Sequence, residues 1–361
     1  MIRTIFKFLR QNPLQALLIA LPLAFIANYT GLGDIWVFIF SVIAIVPLAG
    51  LIGQATEVLA VYTGPKIGGL LNATLGNAAE LIITLVAIQA GYLDLVKASI
   101  TGSILGNLLL VMGFSMIVGG LKNGVQKFDR AQAGNHAVLL TLAVMALAIP
   151  SLFQVAIGTE TSMRVEILSI SVAVVMILLY GLGLFYSLKT NQSPVTHISE
   201  LPPHHKPEMS LRSAIILLVA STVGVVFLSE MLVGAVEHVV ATSHISEFFL
   251  GIILIPIVGN AAEHFVAVQV AHRNNMDLSV EIAISSSLQI ALFVAPLLVF
   301  VSLLLGHPLT LVFNSFELIA LGGGVLITVL VAGDGESNWL EGFALVGVYL
   351  ILALAFFLFT V

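Results

Sequence analysis

The string Gly76-Asn77-Ala78-Ala79-Glu80 returns as Gly259-Asn260-Ala261-Ala262-Glu263, offset by 183 positions. Each copy lies deep inside an apolar segment. The next segments repeat too: Ser103 and Asn107 match Ser285 and Gln289 at an offset of 182. The preceding segments carry Thr56-Glu57 and Ser229-Glu230. One shared five-residue string means little in a biased composition. Its place within two similar runs of segments makes it an internal repeat.

The surrounding chain has 361 residues, of which 59% are apolar, 9% are charged and none is Cys. A soluble domain carries roughly 25% charged residues, so this chain could not cover its own surface in water. That excludes an ordinary soluble enzyme and a disordered protein. It points to a polytopic membrane protein whose surroundings are the lipid bilayer. The net charge of −6 provides no basic stripe, so no nucleic-acid partner is expected. Without Cys there is no disulfide and no thiolate metal site.

A crossing helix needs about 20 apolar residues. Eleven candidates fit: 11–30, 35–61, 67–91, 96–119, 133–153, 166–188, 212–235, 247–271, 280–304, 309–331 and 341–360. The charge-free stretch 282–316 is divided at Gly306-His307-Pro308, because a single helix that long would overrun a bilayer. The start, with Arg3, Lys7 and Arg10, has the basic opening of a signal peptide. Its apolar run is long and lacks a small-residue cleavage site, so it is read as a first transmembrane helix. With the N-terminus cytosolic, the basic residues fall on inner segments except Lys97 and Arg164. The C-terminus is then outside. The Pro-rich stretch 189–211 reads as a solvated cytosolic linker, with His197, His204 and His205 as loop residues rather than a metal tract.

The expected fold is all-α, with about 11 transmembrane helices. An extra N-terminal helix (1–30) precedes a five-helix repeat (31–188), the linker (189–211) and a second five-helix repeat (212–361). Five is odd, so the second repeat must run through the membrane upside down, the plan of many secondary transporters. The two GNAAE helices then enter from opposite faces and meet near the midplane.

Carboxylates in a bilayer are costly and mark function. Glu80 and Glu263 are the most central. Two facing carboxylates suit a hard divalent cation, which prefers oxygen ligands. Asn77 and Asn260 can add amide oxygens or instead cross-link helices. Gly76 and Gly259 can loosen the helix so that carbonyls turn toward the ion. Pro256 frees one further carbonyl. Burial and a second nearby carboxylate both favour the protonated acid, so ion and protons would compete for one site. His264 is a candidate proton shuttle, although a helical neighbour of Glu263 faces elsewhere. Ser103, Asn107, Ser285, Ser286 and Gln289 read as supporting or packing groups around the site. Glu57 and Glu230 sit toward span ends and read as vestibule carboxylates; Glu317 lies near an outer end. His136, His238, His244, His272 and His307 read as boundary residues, and Gly322-Gly323-Gly324 as close helix packing.

The sequence resembles the calcium/proton exchanger (CAX) family of the cation/calcium exchanger superfamily. The stretches that carry the resemblance are Gly64-Pro65-Lys66-Ile67-Gly68-Gly69-Leu70-Leu71-Asn72-Ala73-Thr74 running into GNAAE, Gly102 to Leu110, Pro256 to His264, Ser286 to Phe293, and Asp334 to Gly342. The resemblance implies a calcium/proton antiporter that exports or sequesters cytosolic Ca2+, with Ca2+ and H+ as substrates and no cofactor. It also implies that Glu80 and Glu263 are the shared ion and proton carboxylates. Relatives often have an acidic helix between the halves; here 189–211 has only Glu200 and Glu208. The short loops fit a prokaryotic inner (plasma) membrane. The alternative is a sodium-coupled or other divalent cation exchanger on the same fold. A channel would also use midplane carboxylates, but without coupling. An aspartyl protease reading of Ala332-Gly333-Asp334-Gly335 lacks a second membrane Asp, so the protein is not expected to be an enzyme.

Overall fold

The computed structural model describes residues 13–190, 209–243 and 245–359. Arg3, Lys7, Arg10, the linker residues His197, Glu200, His204, His205 and Glu208, and His244 lie outside the described residues.

The chain is a helical membrane protein. In order, its helices are α1 (Leu14–Thr30), α2 (Asp34–Thr63), α3 (Pro65–Leu75), α4 (Ala78–Gln89), α5 (Leu93–Asn123), α6 (Arg130–Ile157) and α7 (Met163–Thr190). The second half holds α8 (Leu211–Ser243), α9 (Glu247–Gly259), α10 (Ala261–His272), α11 (Met276–Leu305), α12 (Ser315–Val331) and α13 (Trp339–Leu358). Among the described residues, seven helices are long and apolar enough to cross a membrane, and the bent pair α9–α10 makes an eighth. Helices α1, α4 and α12 are apolar but shorter.

Every apolar segment of the sequence therefore meets a helix or a broken helix. The division near Gly306 is real: Gly306 has φ +77° and closes α11. The next helix starts later than residue 309. Residues 306–314 have no helical structure, Pro308 lies among them, and α12 begins only where Asn314 and Glu317 form a capping box.

The connections fall into two groups. One group joins the ends of α5, α10 and α11 to the loop before α13. There Lys122 Nζ donates to the His272 carbonyl at 3.2 Å, Gln126 Nε2 donates to Asn274 at 3.0 Å, and the two-residue strands β1 (Gln126–Lys127) and β2 (Glu336–Ser337) pair antiparallel. The other group joins the start of α5 to the α6–α7 loop and to residues 306–314. There Lys97 Nζ meets Glu160 at 2.9 Å, and Thr310 donates to the same Glu160 oxygen at 2.9 Å. These are the two faces that alternating membrane crossings require. His136, expected at a boundary, is buried within α6. Of the three consecutive glycines, only Gly324 abuts a neighbour, Leu105 of α5; Gly322 and Gly323 face open space.

Candidate functional site

Both GNAAE strings break their helices. Asn77 (φ −94°, ψ 20°) and Asn260 (φ −103°, ψ 8°) leave helical geometry, and α9 and α10 meet at 60°. The Asn carbonyls accept the first bonds of the new helices, from Leu81 N at 2.9 Å and His264 N at 3.0 Å. Their side chains make no capping bond, unlike most Asn at this position. They are free to point into the site, and Glu80 and Glu263 follow in the first turn of α4 and α10.

Each carboxylate takes a bond from a serine on the next long helix. Ser103 of α5 donates to Glu80 Oε1 through a short hydrogen bond. Ser286 of α11 donates to Glu263 Oε2 at 2.6 Å. The bonded pair is thus Ser103 and Ser286, an offset of 183 that matches the glutamates. The 182 offset pointed to Ser285, which is buried beside it. Asn260 Nδ2 reaches across the halves to Glu80 Oε2 and to Ser103 Oγ, both at 3.2 Å. Asn77 Nδ2 reaches the other way, to Gln289 Oε1 at 2.9 Å.

The glycines explain how the two strings approach. A Cβ on Gly259 would lie 3.2 Å from Glu80 Cβ, and one on Gly76 would lie 3.0 Å from Glu263 Oε1. Each glycine makes room for the glutamate of the other copy. Glu80 is 1% exposed, whereas Glu263 is half-buried. The amide oxygens Asn77 Oδ1 and Asn260 Oδ1 are buried without a hydrogen-bond partner. Buried acceptors are seldom left so. Two carboxylates and two unfilled amide oxygens form an all-oxygen donor set of the kind a hard cation takes. Among the described residues, no group of three or more His, Asp or Glu side chains could hold a metal ion.

The remaining candidates sort by position. His264 Nε2 meets Asn107 Oδ1 of α5 at 3.0 Å. Glu57 and Glu230 are exposed on α2 and α8. Pro256 does release the Ile252 carbonyl, but that oxygen lies against Gly102 of α5, where any Cβ would overlap it. The Asp334–Gly342 stretch is structural: Asp334 accepts from Glu336 N at 3.1 Å, and Asn338 with Glu341 caps α13. Ser99, which the sequence did not single out, lies beside the Glu80 carboxylate. It sits one turn before Ser103, so i, i+4 spacing from a known donor was the available signal.

The pattern of the family described as "Sodium/calcium exchanger protein" matches residues 33–189 and 213–358, most of the chain. The chain belongs to this family, in its calcium/proton exchanger (CAX) branch. Among relatives of the same branch, "Ca(2+)/H(+) antiporter" of Aphanothece halophytica is 42% identical over 358 residues, covering 94% of this chain and 95% of that one. "Ca(2+)/H(+) antiporter ChaA" of Bacillus subtilis is 43% identical over 340 residues, covering 93% and 96%. The solved structure "Structure of native YfkE" superposes with a TM-score of 0.84 at 40% identity, covering 96% of this chain and 100% of that one. Both GNAAE strings lie inside the residues that the family pattern matches.

Proposed function

We propose that the protein is a secondary active transporter that exchanges cytosolic Ca2+ for H+ by alternating access, with Glu80 and Glu263 shared between the two ions. The observation that carries this reading is the reciprocal site. Two carboxylates from opposite halves each hold a serine bond, and two buried amide oxygens have nothing to bind. Calcium needs both carboxylates ionised and offers its charge to the unfilled oxygens. Protons, when calcium leaves, neutralise carboxylates that would otherwise repel each other away from water. Calcium binding therefore weakens as the pH falls. Ser103, Ser286, Asn107, Gln289 and Ser285 hold the ligands in place, and Glu57 and Glu230 act as approach carboxylates. His264, hydrogen-bonded to Asn107, is a secondary proton group.

The relatives named as Ca(2+)/H(+) antiporters support the choice of ions. The proposed architecture is one extra helix and two inverted five-helix repeats, eleven crossings in all. It sits in a prokaryotic inner membrane with a cytosolic N-terminus. The broken helices support alternating access because the two are packed differently. α9 lies tight on α5 through Gly251 and Gly102, whereas α3 leans mainly on α2 and is largely half-buried or exposed. On this reading α9 is the more closely held of the two, and the outer side around it is the closed one.

The test is Ca2+ uptake into proteoliposomes under an imposed pH gradient. Wild type should accumulate Ca2+, and Glu80→Gln and Glu263→Gln should each abolish accumulation while remaining folded. Transport retained in either variant overturns the assignment of that residue. Uptake that follows a sodium gradient with the pH gradient collapsed overturns the coupling.

A further inference from the structure

At the outer end of the fold lies a cavity of about 980 Å3, bordered by the start of α5, the α6–α7 loop, the start of α9 and residues 312–318. Five charged side chains line it: Asp94, Lys97, Glu160, Glu247 and Glu317. Lys97 is engaged by Asp94 at 2.7 Å and Glu160 at 2.9 Å, and the Glu247 carboxylate sits at the Leu95 amide. Of the four acidic side chains, Glu317 alone is buried, at 3% exposed, although it lines the cavity. Its Oε2 accepts from Asn314 N at 2.9 Å, which is the capping box of α12. A capping box explains an acidic residue there. It does not explain the second bond, from Thr101 Oγ1 to Glu317 Oε1 at 3.0 Å, which crosses from α5 to α12. Thr101 stands two residues before Ser103, the residue bonded to Glu80.

We propose that Glu317 is a positioning residue for exchange: a proton-accepting carboxylate on the wall of the outer cavity, whose ionised form ties α5 to α12 and keeps the outer side shut. This rests on the exchange reading above. An ionised carboxylate accepts both bonds with full charge, and such bonds are roughly twice as strong as neutral ones. Taking up a proton turns one oxygen into a donor and leaves only neutral bonds across the α5–α12 contact. The cavity brings the outer solution to this carboxylate. The other charges that face it are Asp94 and Lys97 of α5, Glu160 of the α6–α7 loop and Glu247 of α9. Lys97 and Asp94 bear on it with opposite sign. A proton can shift a two-state equilibrium only if it binds the two states differently. The bond from Thr101, made when the outer side is shut, supplies that difference. External acid then loosens the outer side when protons are available to replace released calcium.

The experiment measures exchange rate against outer-face pH in proteoliposomes of defined orientation, for wild type, Glu317→Gln and Glu317→Asp. Calcium binding in detergent is measured alongside. Glu317→Gln keeps the shape and removes the titrating group, so the outer-pH dependence should flatten while calcium binding is kept. Glu317→Asp should restore a pH dependence. A Glu317→Gln profile parallel to wild type, even at a lower rate, reduces Glu317 to a helix cap and overturns the proposal. Hydrogen exchange on the wild-type protein gives a second reading that needs no variant. Corrected for intrinsic rates, amides of 93–101 and 311–318 should lose protection in acid. Equal protection in acid and alkali overturns the proposal. If wild type shows no proton-driven transport, the exchange reading fails, and hydrogen exchange still decides whether Glu317 controls α5.

Discussion

At the residue scale, the site depends on what small and amide side chains leave open. Gly76 and Gly259 lack the Cβ that would press on the opposite glutamate. Asn77 and Asn260 each spend an amide N–H on the other half and leave the oxygen unfilled. Asn260 is the more exacting of the two because it contacts both Glu80 and Ser103. A hydrogen bond to a charged group is worth about 1.5–3 kcal/mol. Asn260→Ala should therefore weaken calcium binding by about ten- to a hundredfold. Titration calorimetry on the purified variant checks this; an unchanged Kd would remove Asn260 from the site.

At the element scale, helix breaks and close crossings put those residues in place. The second broken helix is held by a specific exchange of groups. Pro256 has no N–H to offer the Ile252 carbonyl, and that carbonyl instead lies against Gly102 of α5. Gly251 makes the same crossing close from the other side, against the Leu95 carbonyl and Ala98. Overpacking a well-filled contact costs about 1–3 kcal/mol. Gly102→Ala should destabilise the protein by about that amount, because backbone rather than a flexible side chain must yield. Thermal unfolding in detergent reads this as a lower Tm. A Tm equal to that of wild type would mean that α5 and α9 do not pack this closely.

At the scale of the whole molecule, the proposed alternating access has the two halves move against each other. A Cβ on Gly50 of α2 would lie 3.9 Å from Ala262 Cβ of α10. That is disulfide range. The chain has no Cys of its own. Gly50→Cys combined with Ala262→Cys should therefore form a bond on oxidation that ties α2 to the second half-helix. Exchange in proteoliposomes should stop on oxidation and return with reductant. Full exchange with the bond formed would rule out relative motion at this contact.

The membrane class, the helical fold and the repeated string that breaks two helices were legible in the amino-acid string. Composition and a repeated GNAAE survive projection onto one dimension. Segment ends were legible where chemistry marks them, as at Gly306 and Pro308, and less so at Asn314, where a capping box delays α12. The serine pairing was misread by one residue, because the 182 offset that joins Asn107 to Gln289 was carried back to the serines, whereas Ser103 and Ser286 keep the 183 of the glutamates. Only the tertiary structure decided which serine meets which glutamate, where the Ile252 carbonyl goes, and that Glu317 is buried against Thr101. Each of these depends on contacts between residues far apart in the chain, such as the 216 positions between Thr101 and Glu317. A hydrogen bond requires two groups within about 3 Å in a set orientation, and that is a property of packed helices rather than of sequence spacing.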